Sequence, residues 1–174
     1  MSVLDIVLWP DARLTETCVQ VEEITQEIRT LAQDMLDTMY AAQGRGLAAS
    51  QVGSLNRLFV MDIGWKEGKS DPLVCINPML EEIGEERAVL EEGCLSIPGV
   101  LAEVNRPAQV QMVWSSLEGG RYVQSFDGFG AACVQHEIDH LDGVLFIDRI
   151  STLKRALYKN KLKKNLKKKR KRML

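Results

Sequence analysis

The chain has only two histidines, His136 and His140, in 174 residues. With no third, a metal site of three imidazoles is excluded. No apolar run comes near the ~20 residues needed to span a bilayer, and no apolar signal segment opens the chain. The expectation is therefore a protein with no membrane contact. Cys18, Cys75, Cys94 and Cys133 are scattered and follow no signal segment, which excludes a disulfide framework and points to reduced thiols and a cytoplasmic location. The last absence is of acid: from Ser151 to Leu174 there are 12 Lys+Arg and no Asp or Glu. That leaves 10 basic against 24 acidic residues in the body, so a body near −14 and a tail of +12 lie behind the net charge of −2.

What is present suffices for one folded domain with an appendage, since 45% of the residues are hydrophobic. Ile28, Leu31, Met35 and Met39 recur at three- and four-residue steps, which predicts an amphipathic helix over 25–42, closed by Gly44. Strand-like runs follow at Arg57–Asp62, Leu73–Asn77 and Gln109–Trp114. Gly119-Gly120 offers a tight turn into a further strand, Tyr122–Phe126, because glycine accepts the positive φ of such turns. Ala131–Leu141 reads as a helix stopped by Gly143. Helix, antiparallel strands and then a second helix make an α+β domain, with antiparallel sheets packed around that second helix.

The second helix carries Gln135-His136-Glu137-Ile138-Asp139-His140. One turn apart, His136 and His140 share a helical face and can reach one ion, with Glu137 beside them as general base on a metal-bound water. Two solvated surface histidines would give the same pattern, so the third ligand decides. Cys133 shares the face, but a seven-residue spacing puts it about 10.5 Å from His140 along the axis, too far for ligand bonds of about 2.0–2.3 Å. It is expected to pack beneath the site. Cys75 and Cys18 read as small buried hydrophobes. Cys94 differs: in Glu91-Glu92-Gly93-Cys94-Leu95-Ser96 a tight backbone can present a thiolate and a bare peptide N–H to one spot.

Three stretches, Gly44-Arg45-Gly46-Leu47-Ala48-Ala49-Ser50-Gln51, Glu92-Gly93-Cys94-Leu95-Ser96 and Gln135-His136-Glu137-Ile138-Asp139-His140-Leu141, resemble in order and spacing the signature motifs of peptide deformylase. The opening Val3 to Leu14 is also similar to the bacterial enzymes, so the resemblance covers about residues 1–150. It implies a catalytic domain over 1–150, followed by a basic C-terminal helix and tail over 151–174. The implied activity is hydrolytic removal of the formyl group from the N-terminal formyl-methionine of nascent peptides, giving formate and a free amine. Cys94, His136 and His140 would hold one divalent ion and leave a position for water. The resemblance implies Fe2+ as the physiological ion; Zn2+, Ni2+ or Co2+ would suit the same ligands in purified protein.

By the same resemblance Glu137 shuttles the proton, while the Gln51 side-chain amide and the Leu95 backbone N–H stabilise the oxyanion, each worth about 3 kcal/mol. Gly44 and Gly46, with Gly93 across the site, would let a substrate lie alongside as an added strand, recognised without regard to its sequence. Asp139 is expected to orient a ligand or support the loop. The chain departs from the family at Arg45, where an aliphatic residue is usual beside the methionine pocket. Its methylenes are expected along the pocket wall with the charge in water. Phe129, Ala132 and Cys133 would complete that wall.

Two other readings compete. A small metallopeptidase would share the helix motif, but its usual third ligand is Glu or His rather than cysteine. A nucleic-acid-binding protein with a structural metal would explain the tail, yet the body is strongly acidic and structural sites normally have four protein ligands. For the tail, Ser151 or Thr152 can cap a helix, and Leu153, Leu157, Leu162 and Leu166 predict a docked apolar edge. From Lys167 to Arg172 self-repulsion predicts a disordered run. The family context implies ribosome contact through it, since phosphate-rich RNA attracts such charge.

Overall fold

The structure is a computed structural model that describes residues 2–82 and 84–172, leaving aside the side chains of Glu82 and of 165–172. Helix α1 spans Gln26–Ala41; Thr25 caps it, its hydroxyl accepting from the Ile28 N–H. The predicted stop at Gly44 falls one residue earlier: Gln43 takes the left-handed conformation, at φ 57°. Strands β1 (Gly46–Ala48), β2 (Leu58–Met61) and β3 (Leu73–Glu82) follow, then β4 (Arg87–Cys94), β5 (Ile97–Pro107), β6 (Gln109–Ser115) and β7 (Arg121–Asp127). Helix α2 spans Gly128–Leu141 and α3 Thr152–Arg172. Gly119, at φ 83°, turns β6 into β7 as its sequence predicts.

β1-β2-β3-β6-β7 form one antiparallel sheet, and β4-β5 a separate hairpin. The two-residue alternation of β2 divides the core: Leu58 and Val60 pack toward Ile28, Met35 and Met39 of α1, whereas Phe59 and Met61 pack toward Val134, Ile138 and Leu141 of α2. On β5, Val100, Ala102 and Val104 join Val7, Leu14 and Phe146 in a third cluster. Helix α2 is thereby enclosed, and every residue from Ala131 to Leu141 is buried. The α+β class holds.

Three strands escape a reading of the sequence, for physical reasons. β5 contains Pro98, Gly99 and Pro107, which read as turn residues; β4 is charged because one face meets solvent; β1 is short and lies within the glycine motif.

Helix α3 also departs from expectation. Ser151 caps it, accepting from the Lys154 N–H at 3.3 Å, but it docks through Tyr158 and Leu162 while Leu153 and Leu157 stay exposed. The five-residue step from Leu157 to Leu162 turns the helix by about 140°, so the leucines share no single stripe. The helical backbone continues through the basic run to Arg172 where disorder was expected, and the side chain of Leu166 lies outside the described residues. Leu162→Ala should therefore cost about 2–4 kcal/mol and Leu153→Ala less than about 0.5 kcal/mol. Urea unfolding of the two variants checks this; equal losses would contradict the docking face.

Candidate active site

The motif residues converge where α2 meets β1 and the β4-β5 hairpin. β4 ends in a two-residue turn at Leu95 and Ser96, with a register shift between Gly93 and Cys94, and this turn presents Cys94 toward α2. The Cys94 Sγ lies 3.2 Å from His140 Nε2, and donor atoms of Cys94, His136 and His140 all lie within 4.8 Å of one another. Two imidazole nitrogens and a thiol sulfur at this spacing fit a late first-row divalent ion or zinc.

The ligand candidates are held from behind. Nδ1 of His136 donates to Glu92 Oε2 at 2.9 Å, which turns its Nε2 toward the other two donors. Glu92 also accepts from Arg106 Nε at 2.5 Å and Nη2 at 3.0 Å. Arg106 Nη1 reaches Asp139 Oδ2 at 2.8 Å, and Arg149 clasps the same carboxylate through Nε and Nη2. Asp139 thus acts at a distance, through Arg106 and Glu92, rather than on a ligand directly. No sequence signal marked Arg106 or Arg149, and Glu92 was visible in its motif without a role.

Glu137 is deeply buried, and its Oε2 has no hydrogen-bond partner among the described residues. Burial pushes its pKa up to about 7. Burial, joined by the field of His136, holds His140 well below the ordinary histidine value. Burial also opposes charge on His136, but its hydrogen bonds to Cys94 and Glu92 outweigh it and hold that pKa well above normal. Gly46 is required by the Glu137 carboxylate: a Cβ there would lie 2.3 Å from Oε1.

Gln51 is oriented by its own motif. Its Oε1 accepts from the Ala48 N–H at 2.9 Å, so Nε2 must face Cys94 Sγ, at 3.4 Å, and Ser96 Oγ, at 3.1 Å. A cavity of about 460 Å³ opens over these groups and brings together Gln51, Leu95, Glu137, Cys94 and His136 with Gly44, Gly46 and Gly93. Phe129, Ala132 and Cys133 line it too, while His140 sits behind the lining. Burial raises the Cys133 pKa, which keeps this thiol neutral. Arg45 lines the cavity as well, but its charge is not left to water. It pairs with Glu67 at 2.5 Å, donates to the Ile63 carbonyl and lies 5.4 Å over the Phe129 ring.

Comparison with known proteins agrees with this geometry. The family model for polypeptide deformylase matches residues 3–156. The chain is 50% identical over 166 residues to the peptide deformylase of Rhodopseudomonas palustris (strain BisB5), covering 94% of this chain and 95% of the relative. It is 52% identical over 155 residues to that of Afipia carboxidovorans, covering 89% and 91%. The crystal structure of the Ehrlichia chaffeensis peptide deformylase in complex with actinonin superposes with a TM-score of 0.88 at 40% identity, covering 95% of this chain and 98% of that one. The chain belongs to the polypeptide deformylase family, the metal-dependent hydrolases that remove the N-formyl group from nascent polypeptides.

Proposed function

We propose that Cys94, His136 and His140 hold one divalent ion, ferrous iron under physiological conditions, and that Glu137, Gln51 and Leu95 act on the formyl group beside it. The carrying observation is Glu137, which lines the cavity with Cys94 and His136 and whose buried Oε2 has no hydrogen-bond partner among the described residues. The same donors would take zinc, nickel or cobalt.

When bound, the ion supplies Lewis acidity that polarises the formyl carbonyl and acidifies water beside it. The Glu137 carboxylate takes the proton of the attacking water and passes it to the amine nitrogen as the C–N bond breaks, so formate and a free amine leave. Gln51 Nε2 and the Leu95 N–H donate to the carbonyl oxygen as it gains negative charge. β1 and β4 are both edge strands, and both border the cavity. An extended peptide lying between them would hydrogen-bond through its backbone, which suits an enzyme that meets nascent chains of every sequence. Phe129, Ala132 and Cys133 would receive the methionine side chain, with the Arg45 head drawn outward by Glu67 so that its methylenes face the pocket.

The basic tail would hold the enzyme at the ribosome. Its 12 Lys+Arg stand against an acidic body, and RNA phosphates attract such a run. A cytoplasmic location goes with that role; among the described residues no helix is long and apolar enough to cross a membrane.

Two tests follow. Glu137→Gln should retain the ion yet slow formate release from a formyl-methionyl peptide by at least about 100-fold; wild-type turnover would remove Glu137 from the mechanism. A chain ending at Lys164 keeps Leu162 and should turn over a short formyl peptide at the full-length rate while losing most co-sedimentation with ribosomes at low salt. Equal co-sedimentation would remove the tail's docking role.

A further inference from the structure

A second cavity, of about 420 Å³, lies against a different face of α2 from the one that carries Cys133, His136 and Glu137. Arg57, Arg87, Arg106 and Arg149 all line it. The body has only 10 Lys+Arg against 24 acidic residues, so four of its ten cations converge on one concavity while the rest of the surface is left acidic. Spread evenly, they would have offset the acidic surface; gathered in a low-dielectric concavity, they focus positive potential.

We infer that this cavity binds a phosphate group. Each guanidinium has five N–H donors. Arg106 spends three, on Glu92 and Asp139; Arg149 spends two on Asp139; Arg57 spends two, on Asp142 and the Pro78 carbonyl; and Arg87 spends two, both on Asn105. More than half of the donors are unspent, and the planar fork matches phosphate oxygens in pairs.

Asp139, Asp142 and Glu92 offset three of the four guanidinium charges, which leaves the cavity with one net positive charge and its unspent N–H donors. Asp139 is committed to Arg106 and Arg149. Asp142 is half-exposed and among the described residues pairs only with Arg57, a contact that an incoming anion can displace at little cost. Arg87 has no carboxylate partner among the described residues, so Arg57 and Arg87 are the two cations free to turn onto a ligand. The buried Arg106, 5% exposed and tied to Glu92 and Asp139, forms a fixed floor beneath them. Neither Arg57 nor Arg87 touches the catalytic cavity, so the phosphate site and the deformylase site are separate.

The phosphate could be a small free anion or a phosphodiester of RNA, and one experiment separates them. Metal-loaded full-length enzyme is titrated calorimetrically at low chloride with inorganic phosphate, with and without an added short single-stranded RNA, alongside Arg57→Gln/Arg87→Gln. Saturable phosphate binding in the unaltered enzyme, weakened at least about tenfold in the double variant with turnover of a short formyl peptide unchanged, is the expected result. Because the basic tail would bind RNA by itself, the sources are separated by competition: a phosphate affinity lowered by added RNA assigns the site to a nucleic-acid backbone, and a phosphate affinity that RNA leaves unchanged assigns it to a small phosphate. Arg87→Glu, at an exposed strand position, should abolish phosphate binding by itself. No saturable binding to the unaltered enzyme, or equal affinity in either variant, overturns the inference.

Discussion

The carboxylate of Glu92, 8% exposed, is the point on which the centre depends. A lone buried carboxylate is costly, and the structure answers with two partners: the Arg106 guanidinium on one side and the His136 imidazole on the other. The first contact fixes the charge of Glu92. The second fixes which nitrogen of His136 would be left to bind an ion. Because Arg106 is tied in turn to Asp139 on α2 itself, the helix that carries the histidines and the hairpin that carries Cys94 are joined by one buried chain of ion pairs. In a low-dielectric interior such a chain of paired charges holds the side chains it links in one arrangement.

The enclosure of α2 sets the other constraint. Burial from Ala131 to Leu141 leaves little water to satisfy Gln135, His136, Glu137, Asp139 and His140, so each polar group needs an assigned partner or a function. Gln135 donates to the Pro107 and Ala131 carbonyls. Asp139 takes two arginines. Only Glu137 Oε2 and His140 Nδ1 are left without a partner among the described residues, and both belong to the centre. Unpaired buried atoms cost about 1–3 kcal/mol each, a burden natural proteins keep where chemistry requires it.

Contiguous motifs were legible in the sequence because each has a local physical reason. Gly46 clears the carboxylate of Glu137, Gln51 is turned by Ala48 three residues before it, and His136 and His140 share a face by helical period alone. What was not legible depends on partners distant in the chain. Arg106 has no meaning until it meets Glu92 and Asp139. Arg45 stands out as a departure, but the partner that holds its head outward at the cavity rim, Glu67, lies 22 residues on, and nothing in the sequence links the two. The docking face of α3 does not follow from the leucine spacing, because the helix turns Leu162 away from Leu153 and Leu157. Strands β4 and β5 were hidden by exposed charges and by Pro98, Gly99 and Pro107, residues that mark turns more often than strands.

The central claim is that residues from the hairpin and from α2 together enclose one ion with mixed sulfur and nitrogen donors. X-ray absorption of protein purified without oxygen measures this directly. The account predicts one sulfur scatterer at about 2.3 Å and two imidazole nitrogens at about 2.0–2.1 Å around a single metal per chain, with the sulfur shell lost in Cys94→Ser. An ion ligated only by nitrogen and oxygen in the unaltered protein, or a sulfur shell that survives Cys94→Ser, would contradict it.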